Sequence, residues 1–252
     1  MGLDLLEKIT SPYERKARLY PALLALVPIL ALAIGMYGIA FEVEAGLIGL
    51  LSTFGIFYLV ASVVRELGGR LESSLFDEWG GKPTTQILRH RDKKIDPVTK
   101  MRYHAFLAKH LAINFPSEAD EKADPIAADD TYQSGIKWLL DRTRDTKIFN
   151  LLFQENIAFG FRRNCLGLKP FAIVIAVTAF IWPLIATGVV TWQGIDFGVL
   201  KGLPRSVWGS LTVSLLMLAV WIFFLTKRTA KTAAFGYAEM LLRACDVLPK
   251  KR

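Results

Sequence analysis

Four stretches of this chain carry no Asp, Glu, Lys, Arg or His: residues 20–41, 45–64, 171–190 and 208–225. Each is close to the roughly 20 residues that a helix needs to cross a hydrocarbon core about 30 Å thick. One charge in the middle of such a helix costs about 2.5–3.5 kcal/mol on the insertion scale, so four charge-free stretches point to four membrane spans. The chain is 52% hydrophobic, and that apolar content is gathered into blocks instead of spread with a soluble protein's periodicity. The first block is longer than the roughly 7–15 apolar residues of a signal peptide, and another follows almost at once, so it reads as an uncleaved helix.

Only Glu42, Val43 and Glu44 separate the first two blocks, which forces a tight antiparallel hairpin. Gly35, Gly38, Gly46, Gly49 and Gly55 leave room for its helices to approach closely. Residues 1–19 read as an amphipathic arm on the membrane surface, with Leu3, Leu6 and Ile9 at helical spacing. Lys and Arg set the orientation. The first link has none, residues 191–207 have two, and residues 65–169 have eighteen. The positive-inside bias therefore places both termini and the central block of a multi-pass membrane protein in the cytoplasm.

The expected fold is an all-α integral membrane protein, two transmembrane helical hairpins flanking a helical cytosolic domain. Its parts are an N-terminal arm and first hairpin (1–66), a cytosolic domain (67–169), a second hairpin (170–225) and a cytosolic C-terminal helix (226–252). Within the domain, the second span continues towards Glu78 with a weak point at Gly68 and Gly69. A turn follows at 80–84. Thr84 or Thr85 then caps a short helix through Arg91. Asp96 and Pro97 mark a helix start, a cap followed by a residue suited to the first turn. That helix runs to about Leu111, with Val98, Met101, Phe106 and Leu107 inward. Residues 114–125 read as an acidic loop in which Ser117 caps one turn. Helices over 131–144 and 146–166 complete the block, the last stopped by Gly167. The final helix, 226–247, continues the fourth span and offers Phe235, Ala238, Leu241, Leu242 and Cys245 as a docking face.

Two polar stretches hold the candidate site residues. Gly80, Gly81, Lys82, Thr84, Thr85, Arg89, His90 and Arg91 suggest a glycine turn feeding a helix start, where free N–H groups and cations receive an anion. The stretch is no nucleotide-triphosphate loop: Phe76 stands at the first glycine position and Pro83 where Ser or Thr should be. Glu155, Asn156, Arg162 and Arg163 form the second stretch, and Glu155 or Asn156 is expected to clamp onto residues 82–91. Arg162 and Arg163 also suit anionic headgroups. His90, His104 and His110 match no zinc spacing, and the acidic run 118–130 no calcium loop. The residues assign no catalytic or metal-binding role and do not identify a cofactor.

The motif Trp79-Gly80-Gly81-Lys82-Pro83-Thr84-Thr85, with Leu88-Arg89-His90-Arg91-Asp92, and the motif Glu155-Asn156, Gly160-Phe161-Arg162-Arg163-Asn164 and Gly167-Leu168-Lys169-Pro170, resemble those of an uncharacterised group of bacterial four-span inner-membrane proteins. That resemblance implies no activity. By layout alone the chain is similar to predicted four-transmembrane effectors of bacterial nucleotide-signalling defence systems. The expected function is a membrane-embedded effector or signalling protein whose cytosolic domain senses an anionic ligand or a partner and alters transmembrane packing. A ligand-free membrane scaffold and an inner-leaflet enzyme acting on a phosphorylated or lipid substrate stand beside it. Expected partners are the lipid bilayer, an anionic small molecule or cytosolic protein, and a second copy of the chain; nucleic acid is not expected.

Overall fold

The computed structural model describes residues 11–38 and 47–249, and for 47–57 the backbone alone. Residues 1–10 of the first arm, the link at 42–44 and Gly46 therefore lie outside what is described here, as do the surroundings of Gly49 and Gly55. The chain is about 79% helical with almost no sheet. Its helices are α1 (Glu14–Tyr37), α2 (Leu47–Trp79), α3 (Pro83–Gln86), α4 (Pro97–Leu111), α5 (Glu118–Ala123) and α6 (Pro125–Arg142). Then come α7 (Asn150–Ala186), α8 (Phe197–Lys201), α9 (Arg205–Phe224) and α10 (Lys227–Val247). Strands β1 (Val190–Thr191) and β2 (Gly194–Ile195) form a small hairpin before α8. Among the described residues, three helices are long and apolar enough to cross a membrane: α1, α7 and α9. Large apolar side chains on all three stay exposed, among them Ile34, Val174 and Phe223. The chain reads as a membrane protein because lipid is the solvent that makes such faces favourable.

Two compact units divide it. One comprises Met1–Leu71 with Gly160–Thr229, the other Glu72–Phe159 with Ala230–Arg252. In the first unit α1 packs along α9, where Gly35 lies against the Ser206 carbonyl and Ser210. The Ser206 hydroxyl donates to the Gly35 carbonyl at 2.9 Å. Further along, α2 meets α7. A Cβ on Gly167 would lie 2.7 Å from the Leu67 carbonyl carbon, and one on Gly68 would collide with the Asn164 side chain. Asn164 is fully buried there and donates from Nδ2 to the Ala17 carbonyl of α1 at 2.6 Å. One side chain of α7 thus touches both α1 and α2 at a crossing where glycine allows close approach.

These contacts correct two expectations. Gly68 and Gly69 do not weaken α2, which runs unbroken through both. Gly167 does not stop a helix either. It lies inside α7, which continues through Pro170 and Pro183 to Ala186. A proline costs a helix about 3 kcal/mol, but leaving the helix in apolar surroundings would strand more backbone groups without partners. The expected continuity of the last span into the C-terminal helix is also broken. Between α9 and α10 the backbone at Leu225 turns out of the helical region, with φ −86° and ψ 83°. The carbonyls freed there, those of Ile222 and Leu225, accept from the Lys169 ammonium at 3.2 and 2.9 Å.

In the second unit the core gathers Ile87, Leu88, Tyr103, Leu107, Tyr132, Ile136 and Leu139 with Phe235, Ala238, Leu241, Leu242 and Cys245 of α10. The face expected on the C-terminal helix is buried. Burial pushes the Cys245 thiol up to about 12, so it stays protonated. Val98 and Met101, expected inward, are 71% and 58% exposed. Leu107 is buried and Phe106 packs on the core as expected, but Lys100, Tyr103 and His104 take the rest of the inward face of α4. The expected acidic loop contains α5, and α6 starts at Pro125 on an Asp124 cap.

Adding a methyl group at Gly68 or Gly167 should destabilise the protein by about 1–3 kcal/mol, the usual cost of overpacking. Gly69 has open space around it, so Gly69→Ala should be neutral or stabilising, by up to about 1 kcal/mol. Thermal melting of the three variants in one detergent compares them directly.

Candidate functional site

The stretch around Gly80 is built by the end of α2. The Gly80 N–H donates to the Asp77 carbonyl at 3.1 Å and the Gly81 N–H to Phe76 at 2.7 Å. This pair of bonds closes a helix with a left-handed residue, and Gly80 and Gly81 have φ of 87° and 120°. The helix that follows is α3, only four residues long. Its cap is Lys82 and its first residue Pro83, not Thr84 or Thr85 as expected. Proline's fixed φ preorganises that first turn. Thr85 is buried with a hydroxyl that finds no partner among the described residues, Thr84 is half-buried and Lys82 is exposed.

From Ile87 to Asp92 the chain has no regular helix, although Ile87 and Leu88 are fully buried. Buried backbone in that state needs partners, and side chains of α4 and α5 provide them. Glu121, 3% exposed, accepts from the His90 N–H at 2.6 Å, from the Tyr132 hydroxyl at 2.8 Å and from the Arg91 N–H at 3.4 Å. Burial works to raise its pKa. The hydrogen bonds from His90, Tyr132 and Arg91, with the Arg91 charge, outweigh it and hold the carboxyl below the usual range. Lys100, also 3% exposed, donates to the Arg89 carbonyl at 2.6 Å and to the Asp92 carbonyl. Burial lowers its pKa, opposed by Asp92 and Glu121. His104 donates from Nε2 to the Leu88 carbonyl at 2.8 Å, and its ring stacks on Tyr132. Burial above all lowers its pKa to about 4, so it is neutral near pH 7.

Arg89 is the cation best placed to meet an anion at this turn, and the protein already supplies one. Its Nε donates to Asp129 Oδ1 at 2.8 Å and its Nη2 to Oδ2 at 2.6 Å, a two-pronged pair, while Nη1 donates to the Gly80 carbonyl at 2.9 Å. The Arg89 side chain is 12% exposed. Arg91 faces Glu121 at 3.9 Å. The His90 ring bonds the Pro116 carbonyl at 2.9 Å and meets His104 edge-on. Two members of the acidic run 118–130 are therefore structural: Glu121 and Asp129 neutralise the basic stretch from within.

The second stretch divides. Glu155 and Asn156 are half-buried in the helical unit, and Glu155 lies against Gly236 of α10. Among the described residues, no hydrogen bond or ion pair joins either to residues 82–91; Arg89 and Arg91 face Asp129, Glu121 and the Gly80 carbonyl. Arg162 and Arg163 belong to the membrane unit, where Arg163 approaches Asn164 Oδ1 at 3.4 Å. Among the described residues, no group of three or more His, Cys, Asp or Glu side chains could hold a metal ion.

Sequence reasoning passed over a groove of about 480 Å³ between α4 and α10. Arg102 and Tyr103 meet Asp246 there at 3.1 and 3.0 Å, and Arg243 meets Glu239 at 2.8 Å. Its charges are mixed and four of them are already paired, which suits a polypeptide surface better than one small ion. Comparison of the chain with protein-family models, curated proteins and solved structures finds no match.

Two measurements check this geometry. A double-mutant cycle on Arg89→Ala and Asp129→Ala, read by thermal unfolding, should give a coupling of about 1–2 kcal/mol. The second is pH. His104 takes up its proton near 6.5 when unfolded and near 4 when folded, so the unfolded state binds more protons between these values. Stability should fall as pH drops from 6.5 towards 4, and His104→Gln, which keeps a donor, should flatten that slope.

Proposed function

We propose that the protein is a membrane-embedded signalling or effector protein whose helical unit takes a protein partner, not a free anion, as its input. In this reading it sits in a bacterial inner membrane with four spans, and both termini and the helical unit are cytoplasmic. The Lys and Arg asymmetry along the chain supports that orientation. The observation that carries the choice of input is the Arg89 fork. All three of its donor nitrogens are engaged by Asp129 and the Gly80 carbonyl, so an incoming anion would have to displace a carboxylate held by two hydrogen bonds. A protein partner needs no such exchange. The groove between α4 and α10 offers it a preformed surface, with exposed Val98 and Met101 on the same α4 helix.

Reporters test the topology. One fused after Lys122 should report from the cytoplasm and one inserted at Gly194 from the outside; the reverse would remove the cytoplasmic input. Ligand identity is tested on the purified full-length chain by thermal shift with inorganic phosphate, nucleoside triphosphates and cyclic oligonucleotides. No shift is expected from any of them. A rise of several degrees that Arg89→Ala abolishes would restore the anion sensor. A photo-crosslinking residue at Val98 should capture a discrete partner in cells, and a cross-link only to a second copy of the chain would favour a scaffold.

A further inference from the structure

Between α7 and α9 the chain builds an ordered piece. Val190 pairs with Ile195 and Thr191 with Gly194. The Asp196 N–H donates to the Val189 carbonyl at 2.8 Å, and the Asp196 carboxylate accepts from the N–H groups of Gly198 and Val199 at 2.8 and 3.0 Å. Its back is seated: Leu200 and Leu203 pack on Val189, Val207 and Leu211, with Met36, Phe180 and Leu184. Among the described residues its front is uncovered. Trp192 at the turn is fully exposed, and Ile195 and Phe197 are 59% and 65% exposed.

The neighbouring residues say what covers that front. The hairpin starts four residues after α7 ends and α8 stops four residues before α9 begins, so the piece sits at the mouth of two membrane-length helices. Tyr37 closes α1 at the same end, and Trp182 donates from Nε1 to its hydroxyl at 2.9 Å. Trp182, Tyr37 and Trp208 are all exposed. Such amphipathic aromatic rings collect where water meets lipid. The Asp196 carboxylate is committed to its cap, and the charges remaining on the segment are Lys201 and Arg205, which suit lipid phosphates.

We propose that the hairpin and α8 lie in the headgroup layer of the bilayer, with Trp192, Ile195 and Phe197 inserted below the phosphates. The piece would then act as a lipid anchor for the turn between α7 and α9. This rests on the membrane reading alone and is independent of any signalling role.

The test uses the full-length chain in nanodiscs of phosphatidylethanolamine and phosphatidylglycerol. Cys165 and Cys245 are buried, so a Trp192→Cys or Phe197→Cys variant can be labelled there with an environment-sensitive nitrobenzoxadiazole probe. Lys122→Cys, at a side chain 76% exposed in the helical unit, is the aqueous control. At 192 and 197 the expected result is blue-shifted emission, strong quenching by lipids carrying a nitroxide near the headgroup, and little quenching by iodide. Emission and iodide quenching equal to those at 122 would overturn the proposal. So would a blue shift without lipid-nitroxide quenching, since protein, not lipid, would then cover the front.

Discussion

The helical unit depends on one buried carboxylate. Glu121 reaches from α5 to the backbone N–H groups of His90 and Arg91 and to the Tyr132 hydroxyl. Its three donors come from an irregular segment and a neighbouring helix. Removing the carboxylate would leave the segment's N–H groups unpaired inside the core, at about 1–3 kcal/mol each. Lys100 does the complementary work on the carbonyls of Arg89 and Asp92. An acid and a base from different helices together treat residues 87–92 as a helix treats its own backbone. That is why Ile87 and Leu88 can sit in the core without belonging to a long helix.

The membrane unit solves a different problem with different means. Hydrophobic burial gives little preference for one helix arrangement over another where the solvent is itself apolar, so close packing and a few hydrogen bonds must decide. Gly68, Gly167 and Asn164 are that decision at the crossing of α2 and α7, and Gly35 with Ser206 and Ser210 is its counterpart for α1 and α9. Glycine serves here by absence of a side chain. At Gly80 and Gly81 it serves by a backbone angle. The same residue type carries two separate physical arguments in one chain.

Local signals were legible and remote ones were not. The Asp96 cap accepts from the Thr99 N–H, and Ser117 with Asp120 forms a reciprocal box at the start of α5. Both depend on residues three apart, so they can be read from the letters. Glu121 has no such signature. Its partners lie 11, 30 and 31 residues away, and by composition it is one acid in an acidic run. Val98 and Met101 misled because hydrophobicity suggested the inner face of α4, while the backbone of residues 87–92 required polar groups there. Gly167 misled for a related reason: its neighbour across the crossing is Leu67, and no local pattern announces that contact. The candidate site shared this limit. The cluster of cations was visible, and the carboxylates that occupy it were not.

The position of α10 has a consequence for how the protein is made. Leu241 and Leu242 fill the same core as Leu107 and Tyr132, and Asp246 bonds Arg102 and Tyr103 across 144 and 143 residues of chain. Synthesis runs from the N-terminus, so residues 72–159 leave the ribosome without the helix that closes their core. The long apolar helices α7 and α9 must both be translated before that helix exists. Pairings so distant in sequence form late, and an open apolar core invites misassociation while it waits. Helix α10 therefore completes the core of the helical unit late. A product cut short before α10 keeps its membrane-length helices but displays an unfinished core, the kind of surface that chaperones and proteases recognise.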